Sequence, residues 1–235
     1  MTNLTNLAKT YGISLSPSMA EKFGRYFLLL AEWNAKFNLT AITAKDDVII
    51  KHFLDSVILT KHIPEEANLS LIDIGSGAGF PGIPVKIARP EISAALLDSR
   101  KKRTTFLTEA GRVLDMGEGF EVFHGRAEDF GHKSNHREAY SHACARAVAP
   151  LRVLCEYCLP FVKPGGYFLA MKGPAVHEEL PQSEKIIPLL GAALEGLHEY
   201  SLPDNSKRVI VKIKKISQTP PKYPGKPKNI AKTPV

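Results

Sequence analysis

The 235-residue chain has only three cysteines, too few to suggest a disulfide framework, and this favours a reducing compartment. No apolar run approaches the roughly 18–20 residues that a membrane-spanning helix needs. The first residues, MTNLTNLAKTYG, lack the basic and apolar regions of a secretory signal. The pattern G-x-x-x-x-G-K-[ST] is also absent, which excludes a P-loop. We therefore expect a cytoplasmic protein that does not contact membranes.

Acidic residues are absent from residue 207 to the C-terminus, and this absence locates the basicity of the chain. The whole sequence carries 31 Lys+Arg against 24 Asp+Glu, a formal net charge of +7. Nine basic residues lie from Lys207 onward, so that segment is +9 and the remainder is −2 by subtraction. A localised basic segment is the footprint of a polyanion such as RNA, because neutralised phosphates release counterions. A merely solubilising tail is the alternative.

Hydrophobic periodicity predicts N-terminal helices followed by alternating strands and helices. Apolar side chains recur at steps of three and four over residues 16–37, and residues 46–59 form a second amphipathic stretch. From residue 69, five short apolar stretches alternate with helical patterns, which predicts a parallel sheet with helices on both faces. Two last strands, 194–200 and 208–216, are joined by a short turn and must be antiparallel.

These elements predict three parts of the chain. They are an N-terminal helical cap over 1–66, an α/β domain over 67–217 and a basic Pro/Lys-rich tail over 218–235. A mostly parallel sheet with a late antiparallel strand is typical of the class I, Rossmann-like fold of S-adenosylmethionine-dependent methyltransferases. We expect this fold, and we expect a monomer.

The stretch LIDIGSGAGFPGIPVKI, residues 71–87, contains two overlapping glycine patterns. Residues 77–82 fit G-x-G-x-x-G, which is typical of pyrophosphate binding. Residues 73–79 fit D-x-G-x-G-x-G, which is typical of a loop that holds S-adenosylmethionine. Glycines after a first strand let the backbone approach a ligand, and the next helix start offers N–H groups to an anion. That physics serves a pyrophosphate and the carboxylate of methionine equally well.

Acidic residues near the loop favour S-adenosylmethionine. Asp98 follows the second strand, 19 residues beyond Gly79, where an acid usually binds the ribose hydroxyls of either ligand. Asp73 immediately precedes the glycines, where its carboxylate could receive the ammonium of methionine, whereas a dinucleotide has no cation there. Residues 125–129 follow the third strand and place polar groups where an adenine edge could be bound. The alternative for Asp98 is a cap on the next helix.

Several motifs together resemble those of the RsmG family, also called glucose-inhibited division protein B. The motifs are EWN at 32–34, NLTAI at 38–42, HFLDS at 52–56, DIGSGAGFPGIP at 73–84, LLDSRKKR at 96–103, GRAE at 125–128 and RAVA at 146–149. Members are bacterial guanine-N7 methyltransferases of 16S ribosomal RNA. The resemblance implies S-adenosylmethionine as the cofactor and the small ribosomal subunit as the partner. It implies guanine 527, in the 530 loop, as the target.

The loop, the resemblance and the basic segments give a set of candidate site residues. The candidates for cofactor binding are Asp73, Gly75, Ser76, Gly77, Gly79, Phe80, Asp98, Ala127, Glu128 and Arg146. The candidates for RNA binding are Arg100, Lys101, Lys102, Arg103, Arg146, Lys172, Lys222, Lys226 and Lys228. No metal site is expected. No catalytic acid or base is assigned, because N7 of guanine has an in-plane lone pair and no proton.

Alternatives stand beside these interpretations. Arg146 could pair with Asp98 or Glu128, and residues 100–103 could be a solvated helix start. The protein could instead be a ribosomal RNA binder that retains the fold without catalysis. It could also be a methyltransferase for another RNA or a small molecule, or an NAD-dependent dehydrogenase.

Three further features of the sequence concern the helical cap, the cysteines and the C-terminal tail. His52 and Asp55 lie at i and i+3 of one helix, where they could link the cap to the domain or shape a base pocket. Residues 155–158 form a lone C-x-x-C within a helix, which predicts packing rather than zinc or redox chemistry. Gly225 stands where the family usually has an arginine after Tyr-Pro, so a planar guanidinium contact to RNA is missing there.

Overall fold

The computed structural model describes residues 1–146 and 149–225. The described strands are β1 (Ser70–Ile74), β2 (Ser93–Asp98), β3 (Phe120–His124), β4 (Tyr140–Arg146), β5 (Val162–Lys172), β6 (Ala192–Ser201) and β7 (Lys207–Lys215). Within the described residues they form one seven-stranded sheet in the order β3-β2-β1-β4-β5-β7-β6. Two of the candidate RNA-binding residues, Lys226 and Lys228, lie outside the described residues.

Helices flank both faces of this sheet. They are α1 (Thr2–Thr10), α2 (Pro17–Phe37), α3 (Lys45–Asp47), α4 (Asp55–Ile58), α5 (Gly82–Ala88), α6 (Lys101–Val113), α7 (Ala127–Phe130), α8 (Leu151–Cys158), α9 (Val176–Ser183) and α10 (Ile186–Leu189). A π-helix at Val48–Leu54 joins α3 to α4, and 3-10 turns follow at Leu59–His62 and Leu159–Phe161. No helix among the described residues is long and apolar enough to cross a membrane.

The pairing of the strands confirms the predicted fold class. β1 is parallel to β2 and β4, β2 is parallel to β3, and β4 is parallel to β5. β7 is antiparallel to both of its neighbours, β5 and β6. The strand order reverses at β1, and ligands of such sheets bind beyond the carboxyl ends of the strands at this reversal. Asp73, Asp98 and Arg146 all lie at this edge.

Local sequence explains the bounds of α2. The side chain of Ser16 accepts a hydrogen bond from the backbone of Met19, and Pro17 occupies the first turn, where its missing N–H costs nothing. The helix ends at Asn38, whose left-handed φ of 49° is a conformation that asparagine tolerates. The apolar stripe predicted for this helix packs inward through Phe23 and Tyr26, which are fully buried.

The N-terminal helices share one core with the α/β part of the chain. Phe23 and Phe53 pack in the same cluster as Ile83 of α5 and Phe106 of α6. A second cluster on the opposite face of the sheet holds α8, α9 and α10, and Cys155 and Cys158 are buried in it. The C-x-x-C therefore packs in the core, as its position within a helix predicted.

The chain after β7 stays attached to the domain as far as the structure describes it. Arg137 donates hydrogen bonds to the backbone oxygens of Thr219 at 2.6 Å and Tyr223 at 2.8 Å. His132 contacts the backbone oxygen of Pro224 at 2.9 Å. Thr219 is only 3% exposed. Composition alone gave no sign of this packing, because its partners come from a distant loop.

Candidate active site

The loop after β1 has a conformation that requires its glycines. Gly75, Gly77 and Gly79 have φ angles of 73°, 61° and 92°, which side chains other than glycine rarely adopt. A Cβ on Gly79 would also lie 2.5 Å from Cδ1 of Ile83 and 2.7 Å from the hydroxyl of Tyr26. The loop is therefore a strip of bare backbone held against its neighbours.

Asp73 presents an unsatisfied carboxylate oxygen beside this loop. Its side chain is 1% exposed, and Oδ2 accepts a 2.9 Å hydrogen bond from the backbone of Gly82. The other oxygen, Oδ1, is buried and has no hydrogen-bond partner of good geometry among the described residues, although the hydroxyl of Ser76 and the thiol of Cys144 are near enough to act on the carboxylate. Burial raises the pKa of Asp73 to about 7, although the Gly82 bond opposes this. Such a group is costly to leave unpaired, so it points to a cationic or donating ligand.

Asp98, at the end of β2, holds the glycine loop and the start of α6 together. Oδ2 accepts from the backbone of Gly77 at 2.9 Å and lies 3.3 Å from the guanidinium of Arg103. Oδ1 accepts from the backbone of Arg100 at 2.8 Å. Asp98 therefore orders the residue that precedes α6 rather than the free N–H groups of the helix itself. Oδ1 can accept a second hydrogen bond, so a further ligand contact is chemically open.

The segment after β3 lies against the same edge. The backbone N–H of Gly125 donates to the backbone oxygen of Asp98 at 3.1 Å. Ala127 begins the short helix α7, and the buried carboxylate of Glu128 interacts with Tyr157 on α8, whose pKa is raised mainly by burial and next by Glu128. The structure thus brings the candidates from three strand ends to one edge of the sheet.

Arg146, at the end of β4, connects the sheet to the helical segment of residues 45–62. It donates to Oδ2 of Asp55 at 3.2 Å and to the backbone oxygen of Lys51 at 3.0 Å. Its other terminal nitrogen lies 3.1 Å from Nδ1 of His52, which must accept because a guanidinium only donates. Burial, then the nearby Arg146 charge, lowers the pKa of His52 to about 3, so this ring is neutral at physiological pH.

Asp55 is the centre of a buried network. Besides Arg146, it accepts a 2.8 Å hydrogen bond from the hydroxyl of Tyr200 and lies 3.7 Å from Nε of Arg208. Burial raises the pKa of Asp55, and the Arg146 charge is the largest influence opposing this. His52 and Asp55 therefore do link the N-terminal helices to the sheet, each through Arg146. The carboxylate that pairs with Arg146 is therefore that of Asp55, and not that of Asp98 or Glu128, the two partners that the sequence suggested.

A cavity of about 390 Å³ opens beside Arg146 at the carboxyl ends of β4 and β5. Its lining includes Lys51, His52, Met171, Lys172 and Arg208. The cavity is large enough for a nucleobase with part of its sugar. Four basic side chains line it, together with the two carboxylates of Asp55 and Glu179, so its lining is positive on balance. Phe80 of the glycine loop packs against two residues that line this cavity. The centre of its ring lies 4.4 Å from that of His52 and 5.0 Å from the guanidinium carbon of Arg146.

Comparison with known proteins identifies the family. A family profile described as rRNA small subunit methyltransferase G, GidB, matches residues 19–207. The chain belongs to this family. The ribosomal RNA small subunit methyltransferase G of Acetivibrio thermocellus is 48% identical over 229 residues, which cover 97% of this chain and 93% of the relative. The Bacillus subtilis protein of the same name is 44% identical over 225 residues, which cover 95% and 94%.

A solved structure with little sequence similarity shares the fold. The geranyl diphosphate C-methyltransferase of Streptomyces coelicolor was solved with Mg²⁺, geranyl diphosphate and S-adenosyl-L-homocysteine. It aligns with a TM-score of 0.53 at 11% identity, over 68% of this chain and 78% of that one. This likeness bears on the fold alone.

The candidate RNA-binding residues of this GidB-family chain fall into different settings. Lys101 and Lys102 are exposed at the start of α6, and Arg100 is the exposed residue that precedes this helix. Arg103 instead pairs with Asp98. Lys172 lines the cavity, but Glu179 of α9 lies 2.7 Å from its amine.

Sequence reasoning missed the residues that hold the site in place from outside the motifs. Tyr26 was read only as part of an apolar stripe, yet its hydroxyl donates to the backbone oxygen of Ala78 in the glycine loop. The sequence placed Arg208 in the basic C-terminal segment and Tyr200 in a strand, without a role in the site. In the structure both contact Asp55. Knowing that β7 lies beside β5 would have placed Arg208 near Lys172, but strand order has no local signal.

Substituting Tyr26 with phenylalanine tests the role of this contact. The change leaves the backbone oxygen of Ala78 without its buried donor, and we expect a loss of about 1–2 kcal/mol in the free energy of unfolding. Because the loop is then less restrained, binding of S-adenosylhomocysteine should weaken more than stability alone predicts. Chemical denaturation and calorimetry measure the two effects. Tyr11→Phe, which removes a surface hydroxyl bonded to Ser201, is the control and should leave ligand binding unchanged.

Proposed function

We propose that this protein transfers the methyl group of S-adenosylmethionine to N7 of guanine 527 of 16S ribosomal RNA. Membership of the rRNA small subunit methyltransferase G family is the observation that carries this proposal. The bare glycine loop beside an unpaired buried carboxylate, and the cationic cavity next to it, support the same conclusion from chemistry.

The residues of the cleft fit S-adenosylmethionine better than a dinucleotide. The cofactor carries an ammonium group, and Oδ1 of Asp73 is a buried acceptor that no described residue satisfies with good geometry. We propose that Asp73 receives this ammonium and that Asp98 receives the ribose hydroxyls. Ala127 and Glu128 would then lie by the adenine, and the methionine part of the cofactor would lie against the bare backbone of the glycine loop.

The chemistry asks for positioning rather than proton transfer. When bound, the cofactor supplies an electrophilic methyl group on a sulfonium. N7 of guanine attacks through its lone pair, so the protein needs no general base. Holding the reacting groups in line can lower the barrier by up to roughly 7–11 kcal/mol in the best cases. The target base must leave its stack to enter the cavity. The RNA phosphates that flank this nucleotide would bind to three basic residues of the lining, Arg146, Lys51 and Arg208.

The raised pKa of Asp73 predicts a pH dependence for cofactor binding. Below about pH 7 the buried carboxyl of the empty protein is protonated and cannot receive an ammonium ion. The affinity for S-adenosylhomocysteine should therefore be constant above about pH 8 and fall about tenfold per pH unit well below pH 7. Calorimetry across pH 5–9 measures this. A flat profile would contradict the assigned role of Asp73.

The same shift has the opposite sign for folding. A carboxyl whose pKa is raised in the folded state stabilises the fold only while it is protonated. Its contribution is present below the ordinary pKa of 3.8 and is lost as the pH rises to about 7. Binding improves while the empty protein loses stability over the same range, so the two measurements check each other.

Methyl transfer to unmodified small subunits tests the function. Subunits from cells that lack this activity are incubated with the protein and S-adenosylmethionine carrying a labelled methyl group, and we expect about one methyl per subunit. RNA binding without incorporation would favour the non-catalytic binder. Thermal shifts with S-adenosylhomocysteine and with NAD separate the cofactor classes, since a ligand of the native state raises the apparent stability. Stabilisation by NAD alone would contradict the proposal.

A further inference from the structure

Helices cover only part of one face of β7. Side chains alternate along a strand, so Arg208, Ile210, Lys212 and Lys214 share a face. Ile210 is buried in the core with the N-terminal helices. The helical segment that covers this face ends at His62, and Lys212 and Lys214 beyond it are part-exposed.

Aromatic and basic side chains from the neighbouring strands order this open surface. The amine of Lys212 lies 4.3 Å from the ring centre of Tyr167 on β5, and that of Lys214 lies 5.9 Å from it. The ring of His142 on β4 stacks on the ring of Tyr167, with 5.7 Å between the two ring centres. We call the surface formed by Tyr167, Lys212 and Lys214 the β7 face. The tyrosine ring holds the two ammonium groups near one another without neutralising them.

The electrostatic setting of the β7 face is positive. Burial, followed by the charges of Lys212, Lys163 and Arg89, lowers the pKa of His142 to about 4. Cations from three separate elements thus act on one ring. Glu195 on β6 meets this surface: its carboxylate lies 2.7 Å from the amine of Lys212 and also interacts with Tyr167 and Lys214. This pair is partly exposed, so water and salt screen it and it holds the lysine only weakly.

The β7 face lies on the same side of the sheet as the cavity. Arg208 and Met171 line the cavity, and Met171 pairs with Ile210 in the sheet. Lys212 and Lys214 follow Arg208 by four and six residues on the same face. At about 3.3 Å per residue they lie roughly 13 and 20 Å from it along the strand. Ile210, between Arg208 and Lys212, is buried, so the two lysines form a cationic site separate from the cavity, within the reach of an RNA chain that leads away from a nucleotide bound there.

We propose that the β7 face binds the phosphate backbone of the part of the substrate RNA that leads away from the nucleotide held in the cavity. This inference rests on the proposed function. Charge complementarity selects the occupant, because a row of part-exposed lysines attracts a polyanion and each phosphate contact releases counterions. Glu195 competes with the phosphates for Lys212 and so sets the strength of binding.

Binding to a protein-free 16S ribosomal RNA transcript, measured over a range of salt concentrations, tests the proposal. The double variant Lys212→Gln, Lys214→Gln should bind about tenfold more weakly at moderate salt, and its slope of log affinity against log salt should fall by about 1.5. Glu195→Gln frees Lys212 and should bind two- to fivefold more tightly. The matched control is Lys9→Gln, Lys185→Gln, two exposed lysines elsewhere with the same loss of charge.

The affinity for S-adenosylhomocysteine serves as a readout independent of RNA and should be unchanged in every variant. If the β7 double variant binds RNA as the control pair does, the proposal is overturned. It is also overturned if the variant is impaired only on assembled subunits, because a ribosomal protein would then be the occupant. Failure of the proposed function is a separate result, since wild-type protein would then bind RNA normally but transfer no methyl group.

Discussion

Asp73→Asn should weaken the binding of S-adenosylhomocysteine roughly 30- to 150-fold, about 2–3 kcal/mol. The asparagine can keep the hydrogen bond from Gly82 through its carbonyl oxygen. Its amide NH₂ then replaces the unpaired oxygen, and a donor cannot receive an ammonium ion. Methyl transfer should fall with affinity, and the pH dependence of binding should disappear. Isothermal calorimetry at pH 6 and pH 8 measures both effects.

A ligand control separates this role from a general disturbance of the loop. 5′-Methylthioadenosine lacks the amino-acid part of the cofactor, so it should bind the variant as well as it binds the wild type. Asp46→Asn, at an exposed position of α3, is the matched protein control and should change neither affinity. If Asp73→Asn weakened both ligands equally, the carboxylate would be shaping the loop rather than binding the ammonium.

Arg146→Ala should lower the free energy of unfolding by about 3 kcal/mol, because it leaves the buried carboxylate of Asp55 short of its main partner. Tyr200 and Arg208 still contact Asp55, which keeps the loss near the lower end for a broken buried ion pair. For a chain of this size the melting temperature should fall by roughly 6–12 °C. Methyl transfer should also be lost. Arg112→Ala, which breaks an exposed pair with Glu109, should leave the melting temperature nearly unchanged.

A second substitution distinguishes stability from activity. Adding Asp55→Asn to Arg146→Ala removes the unpaired charge, and the asparagine can still accept from Tyr200. Most of the lost stability should return, while methyl transfer should not, because the proposed contact to substrate phosphate is still missing. Recovery of both properties would show that Arg146 acts only by holding the helices to the sheet.

The sequence predicted the parts of the site that local rules control. The glycine pattern predicts a tight turn with left-handed backbone angles, and the buried strand before it places Asp73 at the carboxyl edge of the sheet. The antiparallel pair at the end of the sheet followed from one short turn. Asp98 was found by its distance from the glycines, and its two competing interpretations were both chemically sound.

The remainder depended on contacts between distant segments. Arg146 was placed correctly at a strand end, but its partner Asp55 lies on a helix 91 residues earlier and carries no signal for this pairing. The hydrogen bonds of Arg137 to the segment after β7 are hidden for the same reason. The π-helix at Val48–Leu54, which carries His52, has no recognisable pattern within an amphipathic stretch. Such features require the tertiary fold.

The position of the transferred methyl group tests the central claim most directly. Small-subunit RNA from cells lacking the modification is treated with the protein and labelled S-adenosylmethionine, then digested and analysed by mass spectrometry. The account predicts a single 7-methylguanosine, at position 527, which the Asp73→Asn variant forms far more slowly. A methyl group on another atom or nucleotide, or no methyl group when the cofactor is bound, would contradict it.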